Sequence, residues 1–259
     1  MGNVNTMLPR KALAIIGLAV IGLSAAATTS EIQLAIDHPD RTASDQERDL
    51  TSKPAEFLGF CEVRRGHVVL DLFAGGGYYS ELTGRIVGES GTVYMHNNGG
   101  YLGFAGKALA ARTESGRLRN VTRYDKEIDA IDLPSDSVDR VLMVMTYHDL
   151  YYKTDGWDIN PDVFFAAVQR VLKPGGMLCI VDHAGRAETQ SADAQDLHRI
   201  DPVFARADIE ARGFTFGGEN TALHNPQDKL DVNVFDPSVR RKTSRFIYKF
   251  VLPAVEPAG

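Results

Sequence analysis

From residue 45 onward the apolar positions fall into short blocks separated by turn residues, and the period of each block predicts its element. Over 45–60, Leu50, Ala55 and Leu58 recur at mixed helical spacing, and Pro54 splits the segment into two short helices. Val68–Leu72 is a β-branched run that reads as a buried strand. Gly75, Gly76 and Gly77 make a tight turn, and Tyr78–Val87 reads as a helix. The alternation continues with a strand over 91–96, a helix over 101–112, a weak strand over 121–124 and a strongly apolar one over 138–146. A helix over 163–172 is ended by Lys173, Pro174, Gly175 and Gly176. Then come a buried strand over 177–181 and a helix over 193–212 interrupted near Pro202. Two closing strands follow over 214–218 and Arg245–Val251, the last alternating Phe246, Tyr248 and Phe250. Strands separated by helical stretches predict a single α/β domain built on a parallel sheet.

The first residues break this pattern. Arg10 and Lys11 precede an apolar run over 12–23, and Ser24, Ala25, Ala26 and Ala27 follow. A charged start, a short apolar stretch and small residues describe a secretory signal peptide, expected over 1–27, with the domain over 28–259. The strongly apolar part is shorter than the roughly 20 residues that a membrane span needs. The domain is therefore expected in the periplasm or outside the cell, with no stable membrane association after cleavage. A net charge of −6 argues against a partner bound through phosphates, so no nucleic acid is expected. Cys61 and Cys179, the only cysteines, read as small buried thiols rather than a disulfide framework.

The main functional signal is the glycine turn between the first strand and its helix. Glycines let a backbone approach a ligand without a Cβ in the way, and the helix N-terminus offers free N–H groups. Asp71, Leu72, Phe73, Ala74, Gly75, Gly76, Gly77 and Tyr78 lack the dinucleotide fingerprint and the P-loop lysine, so a pyrophosphate site is disfavoured. The stretch resembles the first motif of the class I S-adenosylmethionine-dependent methyltransferases, an acidic residue followed by three alternating glycines. Asp71, Gly75 and Gly77 match it, while Phe73 departs from it. Arg170, Val171, Leu172, Lys173, Pro174, Gly175 and Gly176 are similar to the family's run before its fifth strand. The 133–139 segment and Gly213-Phe214 resemble it before the fourth and sixth strands. Tyr147 to Leu150, Asp182-His183 and the stretch beginning at His198 resemble a group of uncharacterised members within it.

This resemblance implies a Rossmann-like fold with a mainly parallel seven-stranded sheet and helices on both faces. It implies S-adenosyl-L-methionine as cofactor, held by Asp71, Phe73, Ala74, Gly75, Gly77, Tyr78, Asn97, Asn98 and Thr146. Asn97 stands where the family carries the acidic residue that takes the ribose hydroxyls, so weaker binding is expected, by about 1–2 kcal/mol. Phe73 is expected to pack under the turn with a negative φ, because a bulky residue at positive φ is strained.

Methyl transfer from a sulfonium chiefly needs alignment, and a general base helps only a protonated nucleophile. Thr146, Tyr147, His148 and Asp149 end the fourth strand, and Asp182 and His183 end the fifth, so both pairs should face one crevice. His148 could take a proton near neutral pH, oriented by Asp149 or Asp182. His148, Asp149, Asp182 and His183 are therefore the catalytic candidates, acting on a small-molecule acceptor. The same residues with His198 and Asp201 are of metal-ligating types. No short spacing fixes a metal shell, and no metal ligand is assigned. An exported location conflicts with a cofactor made in the cytoplasm. The chain stays inside, the cofactor reaches it, or the fold has become a binding protein or a metal-assisted enzyme using the His/Asp cluster.

Overall fold

The computed structural model describes residues 1–2, 29–114, 116 and 118–254. Nearly all of the expected signal peptide, residues 3–28, lies outside the described residues. In chain order the elements are α1 (Thr29–Ile36), α2 (Ala43–Ser52), α3 (Pro54–Phe60), β1 (Val68–Leu72), α4 (Tyr78–Val87), β2 (Thr92–Asn97), α5 (Gly99–Thr113) and β3 (Val121–Asp125). They continue with β4 (Val138–Val144), α6 (Pro161–Val171), β5 (Leu172–His183), α7 (Asp193–Leu197), α8 (Pro202–Ala211), β6 (Thr215–Asn220) and β7 (Arg245–Val251). Among the described residues no helix is long and apolar enough to cross a membrane.

The strands form one sheet in the order β3-β2-β1-β4-β5-β7-β6. β1 pairs in parallel with β2 and β4, β2 with β3, and β4 with β5, while β7 runs antiparallel between β5 and β6. Strand alternation splits the core into two layers. Leu70, Val141, Met143, Leu178 and Ile180 face one cluster with Phe164 and Phe165 of α6. Val69, Leu142, Cys179 and Val181 face the other, with Phe57, Leu58, Leu82 and Ile86 of α3 and α4. Helices thus cover both faces, which is why the central strands read as continuous apolar runs.

Local chemistry sets the helix ends. Thr42, Asn98, Asn160 and Asp201 each cap a helix by accepting a backbone N–H, and proline opens α3, α6 and α8 at positions where no amide partner is needed. Asn160 and Pro161 start α6 two residues before the apolar pattern does. The expected helix over 193–212 is two helices, broken where His198 adopts φ 52°. The expected stop over Lys173 to Gly176 is placed differently. β5 already begins at Leu172, opposite Val138, and residues 173–176 bulge out before Arg140 pairs with Met177. Cys61 and Cys179 are both buried free thiols.

Candidate functional site

The strand order reverses between β1 and β4, so their carboxyl ends open the crevice where ligands of such sheets sit. The chain bends away from the sheet there through two non-glycine residues at positive φ, Phe73 at 52° and Met145 at 57°. The expected negative φ at Phe73 is therefore wrong. Left-handed backbone costs about 1–2 kcal/mol at such a residue. The ring lies 5.2–5.3 Å from His96, Tyr101 and Trp157 and 6.3 Å from Phe164. At about 0.5–1.5 kcal/mol per aromatic pair, these contacts outweigh the strain.

The rest of the turn is held from beneath. Asn97 is fully buried at the end of β2; its Oδ1 accepts the Gly75 N–H at 2.8 Å and its Nδ2 donates to the Gly75 carbonyl at 3.1 Å. Both ends of the amide are spent on the turn, so Asn97 does not take the ribose role expected of it. Arg112 on α5 donates from Nε to the Gly76 carbonyl and pairs with Asp45 at 2.9 Å and with Glu81. Gly77 caps α4 at φ 78°, and a Cβ there would stand 2.3 Å from the Met95 sulfur, so only glycine fits.

Asp71 does not face the crevice. Strand parity puts it on the α4 side with Val69, where its Oδ2 accepts from the Ser80 hydroxyl at 2.5 Å. Burial pushes its carboxyl up to about 7, against the Ser80 hydrogen bond, which pulls it down. Tyr78 likewise turns to Asp49, at 2.5 Å, and Asn98 is spent on the N-cap of α5. Asp71, Gly77, Tyr78, Asn97 and Asn98 thus build the turn from behind, and none of them lines the crevice.

The crevice is a cavity of about 730 Å³ whose walls include Phe73, Ala74, Gly75, Thr146, His148, Asp149 and His183. Gly76 and Tyr152 also line it, as do Tyr101 and Trp157, which sequence reasoning missed. Their aromatic character was visible, but their convergence depends on how α5 and the 151–157 segment fold over the turn.

Asp182, fully buried on β5, organises the polar end. It accepts the His148 N–H at 2.7 Å, the His183 N–H at 2.6 Å, and is 2.8 Å from His148 Nδ1. His148 Nε2 is 3.2 Å from Asp149 Oδ1, and Tyr101 donates to the other Asp149 oxygen at 2.8 Å. Burial alone would lower the His148 pKa, but the charge of Asp182 and hydrogen bonds to Asp149 and Asp182 win and lift it to about 10. His148 is therefore an imidazolium near neutral pH and not the expected base. Burial raises Asp149, but hydrogen bonds from His148, His198 and Tyr101 hold it well below the usual carboxylate range. His183 behaves oppositely: burial, then the nearby charges of His148, Arg245 and Arg199, push it well below the usual imidazole range. Its Nδ1 is 2.8 Å from the Thr243 hydroxyl.

Of the six metal-type residues, the structure brings His148, Asp149 and His198 together. Asp182 stands behind His148, His183 bonds Thr243, and Asp201 accepts the Val203 and Glu188 N–H groups. Tyr147 is fully buried and donates to Asp208.

A glycine turn over a cavity at the switch point, with a polar cluster on the adjoining strand end, is the layout of a class I methyltransferase. Comparison with known proteins agrees. Residues 70–180 match the family model described as a methyltransferase domain. A ubiquinone/menaquinone biosynthesis C-methyltransferase from Cellvibrio japonicus is 28% identical over 172 residues, which are 65% of this chain and 65% of that protein. The chain thus spans somewhat less than two thirds of that relative's length. Among solved structures, a SAM-dependent methyltransferase from Aquifex aeolicus aligns with TM-score 0.57 and 21% identity, over 87% of this chain and 98% of that one. The 4+2 cyclase SpnF aligns with TM-score 0.54 and 16% identity, over 82% of each chain. Over residues 70–180 the chain is thus similar to methyltransferase domains, and its fold is that of S-adenosylmethionine-dependent methyltransferases.

Proposed function

We propose that the protein transfers a methyl group from S-adenosyl-L-methionine to a small-molecule acceptor bound in the 730 Å³ cavity. One observation carries this reading: the backbone of Phe73 to Gly76 opens onto the same cavity as His148, Asp149 and His183. The residues fit the cofactor in two respects. A Cβ built at Gly75 would meet nothing within 4 Å, so this face of the turn is open to close approach. Thr146 Oγ1 is buried on the cavity wall without a hydrogen-bond partner among the described residues, as a group awaiting a ligand would be. The ribose hydroxyls need partners other than Asn97.

When bound, the cofactor supplies a methyl group already activated on a sulfonium. The chain's own part is alignment and proton handling. Tyr101, Trp157 and Phe73 wall the cavity and exclude water. Asp182 fixes His148 and His183 side by side, their ring centroids 6.0 Å apart. His183 stays neutral near pH 7, and in the tautomer whose Nδ1–H donates to Thr243, Nε2 is the atom for an acceptor proton. The His148 cation faces the oxygen or sulfur anion that results. The C-methyltransferase relative makes an ionisable ring acceptor a natural first class to test. Export through the N-terminal leader is part of this proposal, supported by the charge and hydropathy pattern of residues 10–27, and N-terminal sequencing of the protein recovered from the periplasm tests it.

The test is calorimetric titration with S-adenosylmethionine, followed by mass spectrometry of a panel of phenols, thiols and amines incubated with both. Micromolar binding with a 14 Da mass gain on one class is expected, the mass of one added CH₂ as ~14 Da. Absence of binding at millimolar cofactor sinks the proposal and favours a methyltransferase fold that serves another ligand.

A further inference from the structure

We propose that His148, Asp149 and His198 form a binding site for one divalent transition-metal cation on the wall of the cavity. It goes beyond methyl transfer while sharing His148 and Asp149 with that cavity, and the ion takes the place of the Nε2 proton that His148 otherwise carries. Each of the three offers one ligand atom, and these atoms lie within 4.8 Å of one another. Ligands at about 2.0–2.2 Å around a single ion lie roughly 3–3.5 Å apart. His148 Nε2 and Asp149 Oδ1 are already at 3.2 Å, and His198 Nδ1 is 3.9 Å from the same oxygen. A side-chain movement of under about 1 Å closes the set, within ordinary rotamer breadth.

The surroundings match those of a built site. Metal-binding imidazoles turn their second nitrogen to a carboxylate or carbonyl, which fixes ring and tautomer. Here His148 Nδ1 meets the fully buried Asp182 at 2.8 Å. The non-ligating oxygen of Asp149 takes the Tyr101 hydroxyl at 2.8 Å. His198 sits at φ 52°, a strained backbone for a histidine, and its ring is clamped between Tyr152 at 4.7 Å and Phe235 at 5.1 Å. The next residue, Arg199, is fully buried in an ion pair with Asp228 at 2.9 Å, which anchors the turn. Strain and anchoring together spend stability on holding one imidazole against Asp149.

The ligand set selects the ion. Two imidazoles and one carboxylate suit Zn²⁺, Fe²⁺, Co²⁺ or Mn²⁺ rather than Ca²⁺ or Mg²⁺, which prefer all-oxygen shells. Three protein ligands leave positions open toward the cavity, where the ion would hold an oxygen of a bound small molecule.

The experiment uses the full chain prepared without a histidine tag, stripped with chelator and titrated with Zn²⁺ and, separately, Co²⁺. Elemental analysis reads stoichiometry, and visible absorption of Co²⁺ reads an imidazole-containing shell. One ion per chain is expected. His198→Ala, a partly exposed side chain whose loss spares the core, should weaken binding by more than ~100-fold. Asp182→Asn should weaken it by about 10–100-fold. His224→Ala, at an exposed distant position, should change nothing. Equal binding by wild type and His198→Ala, or no binding below millimolar metal, overturns the proposal. Thermal unfolding of each variant separates loss of the site from loss of the fold. No S-adenosylmethionine is present, so failure here leaves the methyltransferase reading intact, and failure of cofactor binding leaves the metal site intact.

Discussion

Replacing Asn97 by aspartate separates two opposed expectations. If residue 97 took the ribose hydroxyls, Asn97→Asp would supply the charge that the family uses and tighten cofactor binding. The geometry predicts the reverse. Asn97 Nδ2 donates to the Gly75 carbonyl at 3.1 Å, and a carboxylate there cannot donate. One hydrogen bond of about 0.5–1.5 kcal/mol is lost, and a buried carbonyl then faces a carboxylate oxygen, a further penalty of about 1–3 kcal/mol. The Gly75 N–H still donates to the other oxygen, with a charge-assisted gain that returns part of this. The net expectation is a loss of about 2–3 kcal/mol in urea unfolding and at least ~10-fold weaker S-adenosylmethionine binding, since each 1.4 kcal/mol of turn disorder costs a factor of ten. The sign with pH follows. The introduced carboxyl is fully buried, so its folded pKa lies above its unfolded value. Its protonated form can donate to Gly75, and the defect should therefore shrink below about pH 4 and grow as pH rises. Unchanged stability together with tighter cofactor binding would refute the staple and return Asn97 to the ribose.

Three further outcomes can be checked on the same protein. Asp71→Asn keeps an acceptor for Ser80 and removes a carboxyl raised to about 7, whose folded form loses stability as pH rises from about 4 through 7; thermal melts at pH 8 should show the variant equal to or about 1–2 kcal/mol more stable than wild type, with cofactor affinity within threefold. His148→Ala leaves Asp182 and Asp149 buried beside a missing cation and should cost about 3–5 kcal/mol; in wild type the His148 contribution is complete below pH 6.5 and fades as pH rises toward 10, which urea titrations across that range would follow. His183→Gln should lower kcat about 10²–10⁴-fold on a protonated acceptor, and the wild-type rate should fall only at acid pH, since this imidazole titrates below its usual range; a wild-type rate that falls through pH 6.5 would place the base elsewhere.

Much of the fold was legible because its strands and helices are locally consistent. β1 and α4 fall on the expected residues, since an apolar β-branched run and a glycine turn leave few alternatives. Pairing His148 with Asp182 was also within reach, because adjacent parallel strands carry their carboxyl ends to one edge. The direction of each side chain was not. Asp71 and Asn97 sit in the expected motif positions yet point to Ser80 and Gly75, a matter of strand parity and of how β2 meets the turn. The left-handed Phe73 was missed because local sterics forbid it, while four ring contacts from distant segments pay that cost.

By itself the sequence determined the period of each element, the order of strands and helices and the glycine turn, because these depend on neighbours within a few residues. Only the tertiary structure decided which groups face the cavity, that two carboxylates raise His148 while burial lowers His183, and that His198 arrives beside Asp149 from a helix end 49 residues further along. Those outcomes depend on desolvation and charge at separations of a few ångströms, and a linear sequence does not encode such distances until the sheet has fixed its register.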